Sequence, residues 1–133
     1  MRILVVDDND QMRAILRMML ESEGHEVLEA ANGNIALDLQ KKKPAELVVT
    51  DIIMPEMEGI ELISHIRKIT PHAKIIAISG GGKIDADLCL NIAGKLGANR
   101  TLLKPFSKPD LMSVIGELFP DDNLNKVSLN IRN

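Results

Sequence analysis

Short unbroken apolar runs dominate this chain: Ile3-Leu4-Val5-Val6, Leu47-Val48-Val49 with Thr50, and Ile75-Ile76-Ala77-Ile78. None alternates with polar residues, so each suits a strand covered on both faces, the condition of a parallel sheet. Parallel strands need crossovers, and the intervening segments have helical spacing. Met12, Ile15, Leu16, Met19 and Leu20 follow i, i+3, i+4, i+7, i+8, and Ile60, Leu62, Ile63 and Ile66 form a second stripe. Strand and helix patterns therefore alternate, which predicts an α/β fold.

Five strands and five helices are expected. Asn9 or Asp10 caps the first helix and Gly24 ends it. His25 to Ala30 reads as a weaker strand at a sheet edge. Asn32 caps a helix through Leu39, stopped by Lys41-Lys42-Lys43 and Pro44. The third strand delivers Asp51 into a loop with Met54-Pro55 that ends at Gly59. Thr70-Pro71 breaks the third helix before a strand at 74–78. Gly80-Gly81-Gly82 precedes a fourth helix at about 85–96, which Gly97 ends. A short strand at 100–103 follows, then a helix capped by Ser107 and Asp110, with Pro109 in its first turn and Leu111, Val114, Ile115 and Leu118 as its stripe. From about Pro120 the chain turns polar and loses its period. The expected organisation is one domain over 1–119 and a polar tail over 120–133.

Composition narrows the function. The 133 residues suit a single core, and no apolar stretch approaches the roughly 18 residues that span a bilayer. The single cysteine, Cys89, permits no internal disulfide, which fits a reducing cytoplasm. Met1 leads straight into the first strand, so no signal peptide is expected. A net charge of −3 argues against direct nucleic-acid binding, and two phenylalanines without Trp or Tyr offer little for base stacking. The lysine triplet complements a helix dipole. His25, His65 and His72 are expected in surface or structural roles, and Met12, Met18 and Met19 in core packing.

Function concentrates where the apolar runs stop. Asp7 and Asp8, Asp51, Ser79 and Lys104 each follow a run, and the carboxyl ends of parallel strands share one edge where ligands bind. Like charges 4 Å apart repel by about 4 kcal/mol at an effective dielectric near 20, so three carboxylates there survive by raised pKa values or by binding a cation. Hard oxygen ligands with room for water suit Mg²⁺. A carboxylate can attack phosphorus to give an acyl phosphate, which makes Asp51 the candidate nucleophile. Lys104 offers an ammonium and Ser79 a hydroxyl to phosphoryl oxygens. The peptide bond before Pro105 is left open between cis and trans by the sequence.

Val5-Val6-Asp7-Asp8-Asn9, Asp51 with Met54-Pro55 and Gly59, Ser79, and Lys104-Pro105-Phe106 together resemble the receiver domain of bacterial two-component response regulators, over residues 2–119. The resemblance implies a flavodoxin-like (βα)5 three-layer sandwich with a five-stranded parallel sheet in order 2-1-3-4-5, the order known for the chemotaxis member of this same family. It implies that Asp51 accepts phosphate from the phosphohistidine of a sensor kinase or histidine phosphotransfer protein. Asp7, Asp8, Asp51 and the backbone carbonyl of Ile53 would serve Mg²⁺, Ser79 and Lys104 would hold the phosphoryl oxygens, and Lys104–Pro105 would be cis. Such a protein is a phosphoacceptor switch rather than an enzyme acting on other substrates. A dimer through the fourth and fifth helices is open to it.

The sequence departs from the family in three places. Thr101 stands where the family usually has a switching aromatic, and Ile53 and Gly81 stand where polar side chains often influence hydrolysis. The Gly80-Gly81-Gly82 run and the helix after it are expected to move in the aromatic's stead. A phosphatase of the haloacid dehalogenase type also uses an Asp nucleophile, but resembles D-x-D, and here the second position is Ile53. A flavodoxin-like cofactor binder would want a phosphate-tolerant first loop, not Asp7-Asp8-Asn9-Asp10. Both a stand-alone regulator and a receiver cut from a longer protein fit the chain, with the first expected.

Overall fold

Five parallel strands lie in the order β2-β1-β3-β4-β5 in a computed structural model that describes residues 1–52, 59–80, 91 and 94–120. The strands are β1 Arg2–Val6, β2 Glu26–Ala30, β3 Leu47–Asp51, β4 Lys74–Gly80 and β5 Arg100–Lys104. Helices α1 Asp10–Glu21, α2 Gly33–Lys42 and α3 Gly59–Ile69 connect them, and a C-terminal helix spans Lys108–Leu118. This is the flavodoxin-like order that the resemblance implied. The fourth predicted helix falls largely outside the described residues, as do Gly81, Gly82, Cys89 and the tail from Asp121. Asn91 and residues 94–96 are helical, and Gly97 follows them at φ +123°.

The unbroken apolar runs build two cores because successive strand residues point to opposite faces. Leu4, Val6, Val48, Ile75 and Ala77 meet Leu62, Ile63 and Ile66 of α3 and Ala36 of α2. Ile3, Val5, Val49, Ile76 and Ile78 meet Leu16 and Leu20 of α1 and Leu111 and Ile115 of the C-terminal helix. The outcome is three layers with helices on both sheet faces.

The helix starts follow their caps. The Asn9 side chain accepts from Met12 N–H and that of Asn32 from Ile35 N–H. Ser107 and Asp110 form the reciprocal capping box, and the amide and hydroxyl of Ser107 hold the Asp110 carboxyl below its ordinary pKa. On α1 the buried stripe is narrower than the spacing predicts. Leu16 and Leu20 are buried, Met12 and Met19 pack at the margin, and Ile15 faces outward. Met18 is 71% exposed, so its expected place in the core is corrected. One helix on an open sheet needs only a narrow seam, and positions beside the seam look outward.

Two polar side chains organise the edge of the sheet away from the acidic loop. Arg67 donates to the carbonyls of Gly97, Pro71 and Ala73 and to Asn99 Oδ1, tying α3 to the segment before β5. Gln40 is fully buried in α2, accepting from Ala45 N–H at 2.9 Å and donating to Ala45 O and to Thr70 Oγ1. Gln40→Leu strands the buried Ala45 amide, so we expect a loss of about 2 kcal/mol of stability by denaturant unfolding. A loss below about 0.5 kcal/mol would show that water takes over the bonds.

Candidate functional site

The carboxyl ends of β1, β3, β4 and β5 bring the predicted residues together. Asp7 is the first residue past β1, and its amide still donates to Ala30 O, extending the ladder by one bond. Its side chain is buried, with Oδ1 accepting from Asn9 N–H at 2.9 Å. Asp8, next along, is exposed. Asp51 is the last residue of β3 and is 9% exposed. Carboxylate oxygens of Asp7, Asp8 and Asp51 lie within 4.8 Å of one another.

Lys104 reaches this cluster from β5, two strands away from β3. It pairs in register with Gly80, and its stem lies over that glycine: a Cβ there would meet Lys104 Cδ at 3.7 Å. Its Nζ lies 3.2 Å from Asp51 Oδ2 and 3.3 Å from Asp7 Oδ2. Burial pushes the ammonium's pKa down, but the charges of Asp51 and Asp7 and their hydrogen bonds together push it up by more, so it sits above its ordinary value. Ser79, 2% exposed, occupies the penultimate position of β4 between the Asp51 and Lys104 strands. The Lys104–Pro105 bond is cis, as the resemblance implied.

The backbone under Asp51 is closely confined. Its carbonyl accepts from Thr50 Oγ1 at 2.9 Å, and Ile52 N–H donates to Ile78 O at 2.9 Å. Gly59 N–H donates to Ile52 O at 2.7 Å, bringing the start of α3 back onto the end of β3. A Cβ on Gly59 would stand 2.0 Å from Asp51 O and 2.6 Å from Ile52 Cα. Gly59 therefore sets how closely the start of α3 approaches the end of β3, a contact that spacing alone did not reveal. Nor did spacing point to Arg13. Its only signal is the i, i+3 spacing from Asp10, and its guanidinium donates to Asp7 O at 2.8 Å.

Among the described residues, three carboxylates share one ammonium in the cluster. All the candidate ligands are hard oxygens, so the donor set fits a divalent cation of the oxygen-loving kind. The carbonyl of Ile53, the fourth expected ligand, lies outside the described residues. Thr101 is exposed on β5, in register with Ala77, so no aromatic stands at that position. Among the described residues no helix is long and apolar enough to cross a membrane.

Known proteins resemble this chain over most of its length. A model of the response regulator receiver domain matches residues 3–116. The chain is 37% identical to the chemotaxis protein CheY of Halobacterium salinarum, over 88% of this chain and 95% of that protein. It is 30% identical to sporulation initiation phosphotransferase F of Bacillus subtilis, over 90% and 94%. A receiver domain protein from Clostridium thermocellum superposes with a TM-score of 0.82 at 33% identity, covering 92% of this chain and 97% of that one. A CheY-like receiver from Methanospirillum hungatei gives 0.83 at 30% identity, over 93% and 97%. The family match spans the acidic loop, the β3 terminus and the lysine strand. The chain belongs to the response regulator receiver domain family of two-component signalling.

Proposed function

We propose that Asp51 is the phosphoacceptor of a switch that acts on no substrate but itself. The observation that carries this reading is the position of Lys104 Nζ, 3.2 Å from Asp51 and 3.3 Å from Asp7, beside a triad of carboxylates. A carboxylate oxygen of Asp51 attacks phosphorus, the bond from phosphorus to the donor's imidazole nitrogen breaks, and that nitrogen keeps the electron pair. The donor is the phosphohistidine of a sensor kinase or a histidine phosphotransfer protein, in a reducing cytoplasm that suits the lone cysteine. The downstream partner is another protein, whose contacts change with phosphorylation.

The chain's residues act by position and charge, as phosphoryl transfer requires. Lys104 is already aligned on Asp51 and meets an equatorial phosphoryl oxygen with a full positive charge. Ser79, at the end of the neighbouring strand, offers a hydroxyl donor to a second oxygen. Asp7, Asp8 and Asp51, with the Ile53 carbonyl, would hold Mg²⁺, which when bound supplies neutralisation of the phosphoryl charge. Asp7 is held by hydrogen bonds while Asp8 is exposed, so Asp7 contributes a fixed ligand and Asp8 an adjustable one.

Acetyl phosphate with Mg²⁺ tests the assignment. Intact mass is expected to show one phosphoryl adduct on the wild type and none on Asp51→Asn. Equal labelling of the two proteins would refute Asp51 as the acceptor. Turnover of a generic phosphate ester by the wild type would refute the claim that the switch acts only on itself.

A further inference from the structure

We propose that Arg13 is a positioning residue for the metal-binding loop, setting the direction of Asp7 through its backbone and so the strength with which the triad binds Mg²⁺. The inference rests on the acceptor reading above and extends it to a residue outside the cluster. Arg13 lies on the first turns of α1 with only 16% of its side chain exposed. Its guanidinium has three different partners. Nη1 donates to Asp7 O at 2.8 Å, Nη2 meets Asp10 Oδ1 at 2.6 Å, and Nε lies 3.3 Å from Glu29 Oε1 on β2. A planar fork of donors suits that work, where a lysine ammonium would be a single point charge.

The consequence is that every polar atom of Asp7 has a partner. Its N–H donates to Ala30 O, its carbonyl accepts from Arg13, Oδ1 accepts from Asn9 N–H, and Oδ2 accepts from Lys104. Three of these tie the residue to β2, α1 and β5, while the Asn9 bond closes the turn itself. Groups that orient a metal ligand without touching the metal typically change affinity by about 10- to 100-fold when removed.

Arg13 is also a cation beside an acidic site, and that gives the proposal a sign. Through-space electrostatics alone says that removing a positive charge makes the loop more negative and tightens Mg²⁺ binding. Positioning says the reverse. Arg17 supplies the control: it bonds to Glu21 and to Glu29 at 2.7 Å, belongs to the same α1–β2 network, and has no bond to Asp7 among the described residues.

Calorimetric titration of the full chain with Mg²⁺ separates the two. Arg13→Gln is expected to weaken binding about 10-fold, the low end for such groups. Arg17→Gln is expected to leave it within about 2-fold, because an exposed charge beyond the first contacts is screened. Arg13→Lys keeps the charge, loses the fork, and is expected to weaken binding in the same direction. Tighter or unchanged binding in Arg13→Gln would overturn the proposal, as would equal weakening by Arg17→Gln. If Arg13→Gln does not fold, Arg13→Lys decides on the same terms. Amide exchange of Asn9 in the metal-free proteins gives a second readout. It is expected to speed up in the Arg13 variants and not in Arg17→Gln, and an unchanged rate in the Arg13 variants would overturn the proposal. A wild type that binds no Mg²⁺ would sink the metal reading of the triad, while the Asn9 exchange would still judge Arg13.

Discussion

Gly59→Ala should lose about 3 kcal/mol of stability, the upper end for forcing one methyl group into filled space. The added Cβ would sit 2.0 Å from Asp51 O and 2.6 Å from Ile52 Cα, and both are backbone atoms that no rotamer change can move. Either α3 backs away from β3 or the end of β3 shifts, and either way the Gly59–Ile52 hydrogen bond opens. For a chain of this size the loss corresponds to roughly 10 °C in melting temperature. Labelling of Asp51, the proposed acceptor, should fall as well, because the displaced backbone carries it. Gly94→Ala is the matched control, since a Cβ there meets nothing within 4 Å and alanine favours a helix. A Gly59→Ala protein that melts within about 2 °C of the wild type would show that the contact between α3 and β3 yields easily, against the overpacking expectation.

Lys104→Met should produce the second large effect, and its size depends on metal. Without Mg²⁺, the substitution removes the ammonium that bridges Asp7 and Asp51 and leaves their mutual repulsion, and that of Asp8, uncompensated by it. Removing one partner of a well-buried pair costs about 3–5 kcal/mol, and Lys104 keeps 24% of its side chain exposed, so about 2 kcal/mol is expected near neutral pH. Saturating Mg²⁺ should recover most of that, because a ligand at 100 times its Kd adds about 2.7 kcal/mol to the folded state. Phosphorylation should not recover, since the ammonium proposed to meet the phosphoryl oxygen is gone. The pH dependence follows from the raised lysine pKa. The folded value lies above the ordinary 10.5, so the stabilisation is complete below 10.5 and disappears only as pH rises through the higher folded value. Denaturation curves of wild type and Lys104→Met should therefore stay apart through mildly alkaline pH. Curves that merge by about pH 9 would contradict the ion pairs as the source of the difference.

The strand ends were legible because a buried parallel strand must be apolar along its whole length, so a polar residue at its end marks the sheet's edge. That rule located Asp7, Asp51, Ser79 and Lys104. It placed strand limits less well: β4 runs on to Gly80 and β5 to Lys104, since backbone pairing continues past the last apolar side chain. Helix caps were readable for a similar reason, as Asn9, Asn32 and Ser107 bond to amides only three residues ahead. Gln40 and Arg67 were not readable. Each is a polar residue on a helix, and nothing in its neighbours says that a carbonyl from another element will meet it.

The alternating runs and stripes thus determined by themselves the fold class, the sheet edge that holds the chemistry and the residue types gathered there. Those features follow from local periodicity and from which side chains can leave water. Tertiary structure alone decided that Lys104 bridges Asp51 and Asp7, that Gly59 lies against the backbone of Asp51, and that Arg13 grips the carbonyl of Asp7. Those contacts depend on strand order and on distances between segments up to 97 residues apart, which no local pattern encodes.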